Sequence, residues 1–367
     1  MFPRPSACSP NYAFAYFNRG SIYFDLGETE KALTDLNKAI QLDSKQATFY
    51  ITRAMVHTSL SQYDNAIADL KKALAIEPGK TAVHYSLGNL YYQLKQYEQA
   101  IDSYTKASAA GDPLVYYSRG NAYRDSGNLQ AALADFTEAI RLAPNYFEAY
   151  NNRGSIYLGL GKVAEALADF SQTIKLKPDY YVAFYNRALA YLYKGDYALA
   201  EQDLTSVLKG SPEMYPAYQQ RGLASFYMGD FKAAVRDWES YLEQVPKDAE
   251  TNYRIGLAYF NLKSYEKSLV YLNKTINLNP KAGEAYVQRG NIYMMQKEYV
   301  QAVNDYNKAI ELKQESDTIY FNRGLAYTNL NNKERAIEDL QKALSITTNE
   351  KMAEDARDVI KMLRESK

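Results

Sequence analysis

Two histidines, His57 and His84, and one cysteine, Cys8, are all that this 367-residue chain holds of the side chains most used as bases, nucleophiles and soft metal ligands. Neither histidine has a cysteine or a second histidine at metal-ligand spacing. No glycine-rich phosphate loop or Gly-x-Ser-x-Gly elbow is present, and carboxylate neighbours such as Glu354 and Asp355 fall on a polar helix face. The sequence argues against an enzyme and implies no cofactor or metal. Two other rows of residues recur. Arg19, Arg53, Arg119, Arg153, Arg187, Arg221, Arg289 and Arg323 are each followed at a fixed distance by Asp35, Asp69, Asp135, Asp169, Asp203, Asp237, Asp305 and Asp339. A guanidinium and a carboxylate that recur in fixed register can form an ion pair. The second row is Asn18, Thr52, Ser86, Ser118, Asn152, Asn186, Gln220, Arg254, Gln288 and Asn322, mostly short uncharged groups. Amide side chains both donate and accept, so such a row can grip the backbone of an extended peptide with little regard to its sequence.

These rows need a repeating scaffold, and the small residues mark its beat. Gly20, Ala54, Gly88, Gly120, Gly154, Ala188, Gly222, Gly256, Gly290 and Gly324 recur every 34 residues, with one 32-residue step before Gly120. Numbering the small residue as position 8 puts an aromatic at position 4 (Tyr16, Tyr50, Tyr116, Tyr150, Phe184, Tyr218, Tyr286, Tyr320), with His84 and Asn252 as the departures. Position 11 is mostly Tyr and position 20 mostly Ala. Position 24 is Leu, Phe, Tyr or Trp, and position 32 is Pro in six copies. Positions 4, 7, 8 and 11 share one face of a helix, and positions 17, 20, 21, 24 and 27 one face of a second, with glycines such as Gly27 and Gly161 between them. Each copy is a helical hairpin whose apolar side only the next copy can cover.

The pattern resembles the tetratricopeptide repeat, W-x2-L-G-x2-Y…A-x3-F…P, over residues 13–350. The resemblance implies an all-α solenoid: ten hairpins in a right-handed superhelix with a C-terminal capping helix. Residues 1–11 read as a poorly ordered leader, 12–350 as the repeats and 351–367 as the cap. Thr347 with Glu350 reads as the capping box that opens this last helix, whose Ala353, Ala356, Val359, Ile360 and Leu363 share a face.

Arginine stands at position 7, where the family usually has Leu, and aspartate at position 23, in the same eight repeats. The third repeat has Leu87 with Ser103 and the eighth Ile255 with Tyr271. Pairing each Asp with the following repeat's Arg would leave Asp69 opposite Leu87 and Asp237 opposite Ile255. Pairing inside one hairpin avoids this, and it leaves the arginines little charge with which to hold an anionic ligand.

In this family the face of the first helix that carries positions 2, 6, 9 and 13 lines the concave wall. The amides at position 6, Asn18, Asn152, Asn186 and Asn322 among them, resemble the asparagine ladder of O-GlcNAc transferase, with Asn at four rungs. In repeats six to eight Tyr185, Leu189, Tyr193, Leu223, Tyr227, Tyr253 and Leu257 make an apolar strip suited to a peptide or an amphipathic helix. The alternative is that positions 5 and 12 are covered by the neighbouring repeat. Lys is absent from positions 2 and 5, which argues against the carboxylate clamp of co-chaperone repeats. The reading is therefore a non-enzymatic adaptor binding a segment of another protein. The rivals are a recognition array cut from a larger enzyme such as a glycosyltransferase, against which the C-terminal cap weighs, and a scaffold that self-associates through its uncapped N-terminal end.

Lys plus Arg and Asp plus Glu balance at 43 each, which removes the long-range attraction a nucleic-acid partner needs. No apolar run is long enough to span a membrane, and Ser6-Ala7-Cys8 lacks the apolar stretch a lipoprotein signal requires. A soluble, cytoplasmic protein is the expectation, although a single cysteine leaves the compartment open.

Overall fold

The structure is a computed structural model that describes residues 10–365. The described residues fall into two compact units, divided between Ala183 and Phe184. The first holds five hairpins: α1 (Pro10–Asp25) with α2 (Thr29–Leu42), α3 (Ala47–Ser59) with α4 (Tyr63–Ile76), α5 (Thr81–Gln93) with α6 (Tyr97–Ala107), α7 (Pro113–Asp125) with α8 (Leu129–Leu142), and α9 (Phe147–Gly159) with α10 (Val163–Leu176). The unit boundary lies in the first turn of α11 (Tyr181–Lys194), which is followed by α12 (Tyr197–Gly210). The second unit continues with α13 (Tyr215–Tyr227) and α14 (Phe231–Gln244), α15 (Ala249–Asn261) and α16 (Tyr265–Leu278), α17 (Gly283–Met295) and α18 (Tyr299–Glu311), α19 (Asp317–Asn329) and α20 (Lys333–Ile346), and α21 (Glu350–Glu365). No strand occurs among the described residues. Residues 1–9 of the expected leader lie outside the described residues, and residues 10 and 11 belong to α1.

The turn inside each hairpin is one device repeated. Position 15 has positive φ in all ten copies: glycine at 27, 127, 161, 195 and 229, and Ser61, Lys95, Lys263, Lys297 and Asn331 elsewhere. That left-handed residue reverses the chain after the first helix, and glycine adopts it without steric cost.

Position 8 decides how closely the two helices meet. A Cβ built on Gly222 would lie 2.7 Å from Trp238 Nε1, and one on Gly88 2.6 Å from the Tyr104 ring. Glycine faces every aromatic at position 24 (Tyr104, Phe136, Phe170, Trp238, Tyr306). The two alanines, Ala54 and Ala188, belong to hairpins with Leu70 and Leu204 at position 24. A flat ring against the backbone leaves no room for a methyl group, whereas a branched leucine can turn aside. In the seventh hairpin Trp238 is fully buried and its Nε1 donates to Gln219 O at 3.0 Å. Ser225, small where other repeats have Tyr, keeps its buried hydroxyl without a hydrogen-bond partner.

The missing two residues before Gly120 are absorbed by shortening. α6 stops at Ala107, a 3-10 turn covers Ser108–Ala110, and Gly111 takes φ 68°. Asp112 then caps α7, accepting from Leu114 N at 2.9 Å, with Pro113 in its first turn.

The last helix packs Ala356, Ile360 and Leu363 against α20. Its expected capping box is corrected. Thr347 ends α20 in extended conformation, and its Oγ1 accepts from Asn349 N at 3.1 Å. Asn349 is the cap, its Oδ1 accepting from Met352 N at 3.1 Å. The short Asn side chain stands directly before the first helical residue, Glu350, and so reaches the open N–H groups that Thr347, two residues further back, does not.

Candidate functional site

The arginines and aspartates meet as the register requires. Each Arg forks onto the Asp of its own hairpin through Nε and Nη2: Arg153 reaches Asp169 Oδ2 and Oδ1 at 2.8 Å each, and Arg323 reaches Asp339 at 2.7 Å each. The aspartates are buried, and the hydrogen bonds that Arg153 donates to Asp169 stabilise its charged form, raising its pKa above the ordinary value. The ring at position 4 stacks on the guanidinium, with Tyr150 at 5.6 Å from Arg153 Cζ. Position 11 covers the other side, with Tyr157 at 5.8 Å.

The third nitrogen ties one hairpin to the one before it, which the sequence reading missed. Arg53 Nη1 donates to Asn37 at 2.6 Å, Arg153 Nη1 to Thr137 at 3.1 Å, and Arg323 Nη1 to Asn307 at 2.6 Å. These acceptors stand at position 25, where Asn, Thr or Ser precedes every Arg-bearing repeat after the first. Lys71 and Glu239 stand there ahead of Leu87 and Ile255. Position 4 loses its aromatic in the same two repeats, as His84 and Asn252. Four positions thus change together, and joint variation of positions 4, 7, 23 and the preceding 25 was the available signal. With Nε and Nη2 of all eight held by aspartate, and Nη1 of Arg53, Arg119, Arg153, Arg221, Arg289 and Arg323 held by the preceding hairpin, these arginines act as structural groups.

The histidines are equally occupied. His57 Nδ1 lies 2.7 Å from Gln62 Oε1, and His84 Nε2 lies 3.1 Å from Pro78 O. No group of three or more potential metal ligands occurs among the described residues, and no described helix is long and apolar enough to cross a membrane.

The amide row on the first helices is partly consumed by neighbours. Asn152 Nδ2 donates to Asn121 Oδ1 at 2.9 Å and Tyr117 Oη at 3.2 Å, and Asn322 Nδ2 to Asn291 Oδ1 at 3.3 Å. Asn18 is exposed, and Asn186 is half-buried with an interaction of its own. In the apolar strip only Tyr193 and Tyr227 are well exposed, at 72% and 58%. Tyr185, Leu189, Leu223, Tyr253 and Leu257 are half-buried. Tyr227 stacks on Tyr197, with ring centroids 4.8 Å apart, and Phe226 packs on Trp238 and Phe231. Position 9 (Leu189, Leu223, Leu257) is thus half-buried like position 5 (Tyr185, Tyr253), and among the named strip residues only those at position 13 are well exposed.

Two concavities occupy first-helix faces. One in the second unit, about 250 Å³, brings the expected Tyr253 and Asn322 together with Val287, Gln288 and Ile319. The other, about 420 Å³ in the first unit, is lined by Phe24, Ile51, Met55 and Leu90, with Ser86, Asn89 and Gln93 at its edge. The sequence reading did not select it. Its signal was Met55 at position 9, the register that carries Leu189, Leu223 and Leu257 in the strip that was selected.

Models of the tetratricopeptide repeat match residues 13–46, 58–116, 117–181, 181–213, 220–282 and 318–346, and a further repeat model of the same family matches 290–331. The chain is a tetratricopeptide-repeat protein. Among solved structures it is similar to a tetratricopeptide-repeat protein from Parabacteroides merdae at 24% identity, over 69% of this chain and 98% of that one, with a TM-score of 0.49. It is also similar to YrrB, described as a repeat protein with an unusual peptide-binding site, at 28% identity over 50% and 95% of the two chains, with a TM-score of 0.44. Yeast Tom70 matches at 14% identity over 96% of each chain, with a TM-score of 0.41. No curated protein sequence matches the chain. Tetratricopeptide repeats generally form interaction modules rather than catalytic centres.

Proposed function

We propose that this repeat protein is a non-enzymatic scaffold that holds an extended or helical segment of another protein against its first-helix faces. The observation that carries the reading is the uncharged concavity of the first unit. Phe24, Ile51, Met55 and Leu90 offer apolar walls, Met55 is 53% exposed, and the hydroxyl and amides of Ser86, Asn89 and Gln93 stand beside them. Apolar walls take a hydrophobic side chain, and the adjoining amides can pair with the backbone on either side of it. Within the second unit, exposed Tyr193 and Tyr227, with Asn186, Asn322, Tyr185, Leu189, Leu223, Tyr253 and Leu257, are a candidate surface of their own, and Asn18 and Asn152 belong to the candidate set of the first unit.

A displayed random-peptide library selected on the full chain tests this. Selected peptides should carry a hydrophobic anchor and bind Met55→Lys or the Tyr193→Ser, Tyr227→Ser double variant about tenfold more weakly, the weight of one well-placed anchor. Both variants change exposed positions and should keep the helical circular dichroism. Selected peptides that bind the wild type and both variants equally would refute the reading. Self-association without a peptide-binding face would give no enrichment here.

A further inference from the structure

A second kind of cavity opens where the arginine module is missing. In the second unit the position-4 rings of the ninth and tenth hairpins, Tyr286 and Tyr320, are buried. Tyr286 Oη donates to Pro280 O at 3.4 Å, and Lys342 Nζ lies 5.9 Å from the Tyr320 ring centroid. The eighth hairpin has Asn252 at this position. Its Nδ2 turns back onto Asp248 O at 2.8 Å, and the space a ring would take is left as a cavity of about 590 Å³. Pro246 lines it at the register Pro280 holds for Tyr286, and Lys274 at the register Lys342 holds for Tyr320. Leu242, Tyr271 and Leu278 supply apolar walls.

We propose that this cavity takes a tyrosine side chain from a partner polypeptide, which supplies between molecules the ring that eight of the other repeats supply for themselves. The third hairpin shows that the cavity follows from the missing ring. It too lacks the module, and a cavity of about 530 Å³ opens at the same register beside Lys71, His84, Leu87 and Ser103. There His84 already bonds the Pro78 carbonyl, the counterpart of Pro246, which makes the eighth hairpin the receptive one. Tyrosine fits better than phenylalanine because its hydroxyl can donate to the Pro246 carbonyl as Tyr286 does to Pro280. Lys274, now 4.5 Å from the Tyr271 ring centroid, has no ion pair among the described residues and can serve the incoming ring as the cation. Glu239, which accepts from Tyr271 Oη at 2.8 Å, and Glu243 oppose a phosphate-bearing aromatic such as a nucleotide. The site lies between second helices and does not depend on first-helix binding.

The test uses the full chain with methyl-labelled leucines and N-acetyl-tyrosinamide as the probe, followed by nuclear magnetic resonance. N-acetyl-leucinamide and adenosine monophosphate serve as comparisons. The tyrosine probe should shift the Leu242 and Leu278 signals and bind about tenfold more tightly than either comparison. Asn252→Tyr, which restores the residue type other repeats carry, should remove the shifts while keeping the fold. Asn277→Phe at the exposed rim gives the same reading should Asn252→Tyr misfold. The proposal is overturned by no response to the tyrosine probe at about 20 mM, ample for a weak single-side-chain ligand. Unchanged binding in a folded variant, or equal binding of leucinamide or the nucleotide, overturns it as well.

Discussion

Replacing Arg153 by Leu should destabilise the protein more than replacing Arg153 and Asp169 together. In the folded chain the Asp169 side chain is 7% exposed and takes two charge-assisted hydrogen bonds of 2.8 Å from Arg153. Removing the guanidinium alone strands that carboxylate in a site where water replaces few of its partners, a loss of about 3–5 kcal/mol. Changing Asp169 to Ser at the same time removes the stranded charge. What remains lost is the net worth of the hydrogen bonds, about 1 kcal/mol each, and of the stacking on Tyr150 and Tyr157, about 0.5–1 kcal/mol. Leucine's contact with the two rings offsets part of this, so the double variant should fall about 1–2 kcal/mol below wild type. The third repeat already lives with this combination, as Leu87 and Ser103. Urea unfolding followed by circular dichroism at 222 nm, compared by midpoint at constant slope, measures the four members of the cycle. A double variant no more stable than Arg153→Leu alone would show that the carboxylate is not stranded and would refute the pairing energetics.

Two further outcomes follow from packing and titration. Gly222→Ala should cost about 1–3 kcal/mol, because the new methyl group would meet Trp238 at 2.7 Å, while Ala188→Gly, opposite Leu204, should cost about 1 kcal/mol at most; equal losses in the same urea assay would sink the account of position 8. Burial, followed by the hydrogen bond to Asp125, pushes Tyr92 up to about 12. Burial likewise pushes Tyr253 up to about 12 and Tyr104, Tyr146, Tyr271 and Tyr306 higher still. These phenols keep their protons in the folded chain at pH values where the unfolded chain has lost them. The contribution of these tyrosines should therefore be level up to about pH 10 and fall between pH 10 and 12, by up to about 1.4 kcal/mol per pH unit for each. Helical circular dichroism in urea, measured from pH 8 to 12, should show this fall, and Tyr104→Phe and Tyr306→Phe should each make it shallower; variants that fall as steeply as wild type would contradict this.

The sequence by itself determined the repeat, its helical hairpins and the Arg–Asp pairing. Each of these rests on one side-chain type recurring at one register, and a short-range period translates directly into a helix face. It marked the 32-residue step before Gly120 for the same reason. It misplaced the cap of the last helix, because Thr347 and Asn349 both satisfy the local pattern and only the observed helix start at Glu350 separates them. The candidate surface was legible only in part. Apolar residues such as Leu223 and Phe226 read alike whether they face solvent or the next repeat, and packing between hairpins decided that Tyr193 and Tyr227 are the exposed ones. Cavities belong wholly to the tertiary structure. Asn252 in the sequence is one departure from an aromatic, and it becomes a cavity only when α14 and α16 stand on either side of it without closing the gap.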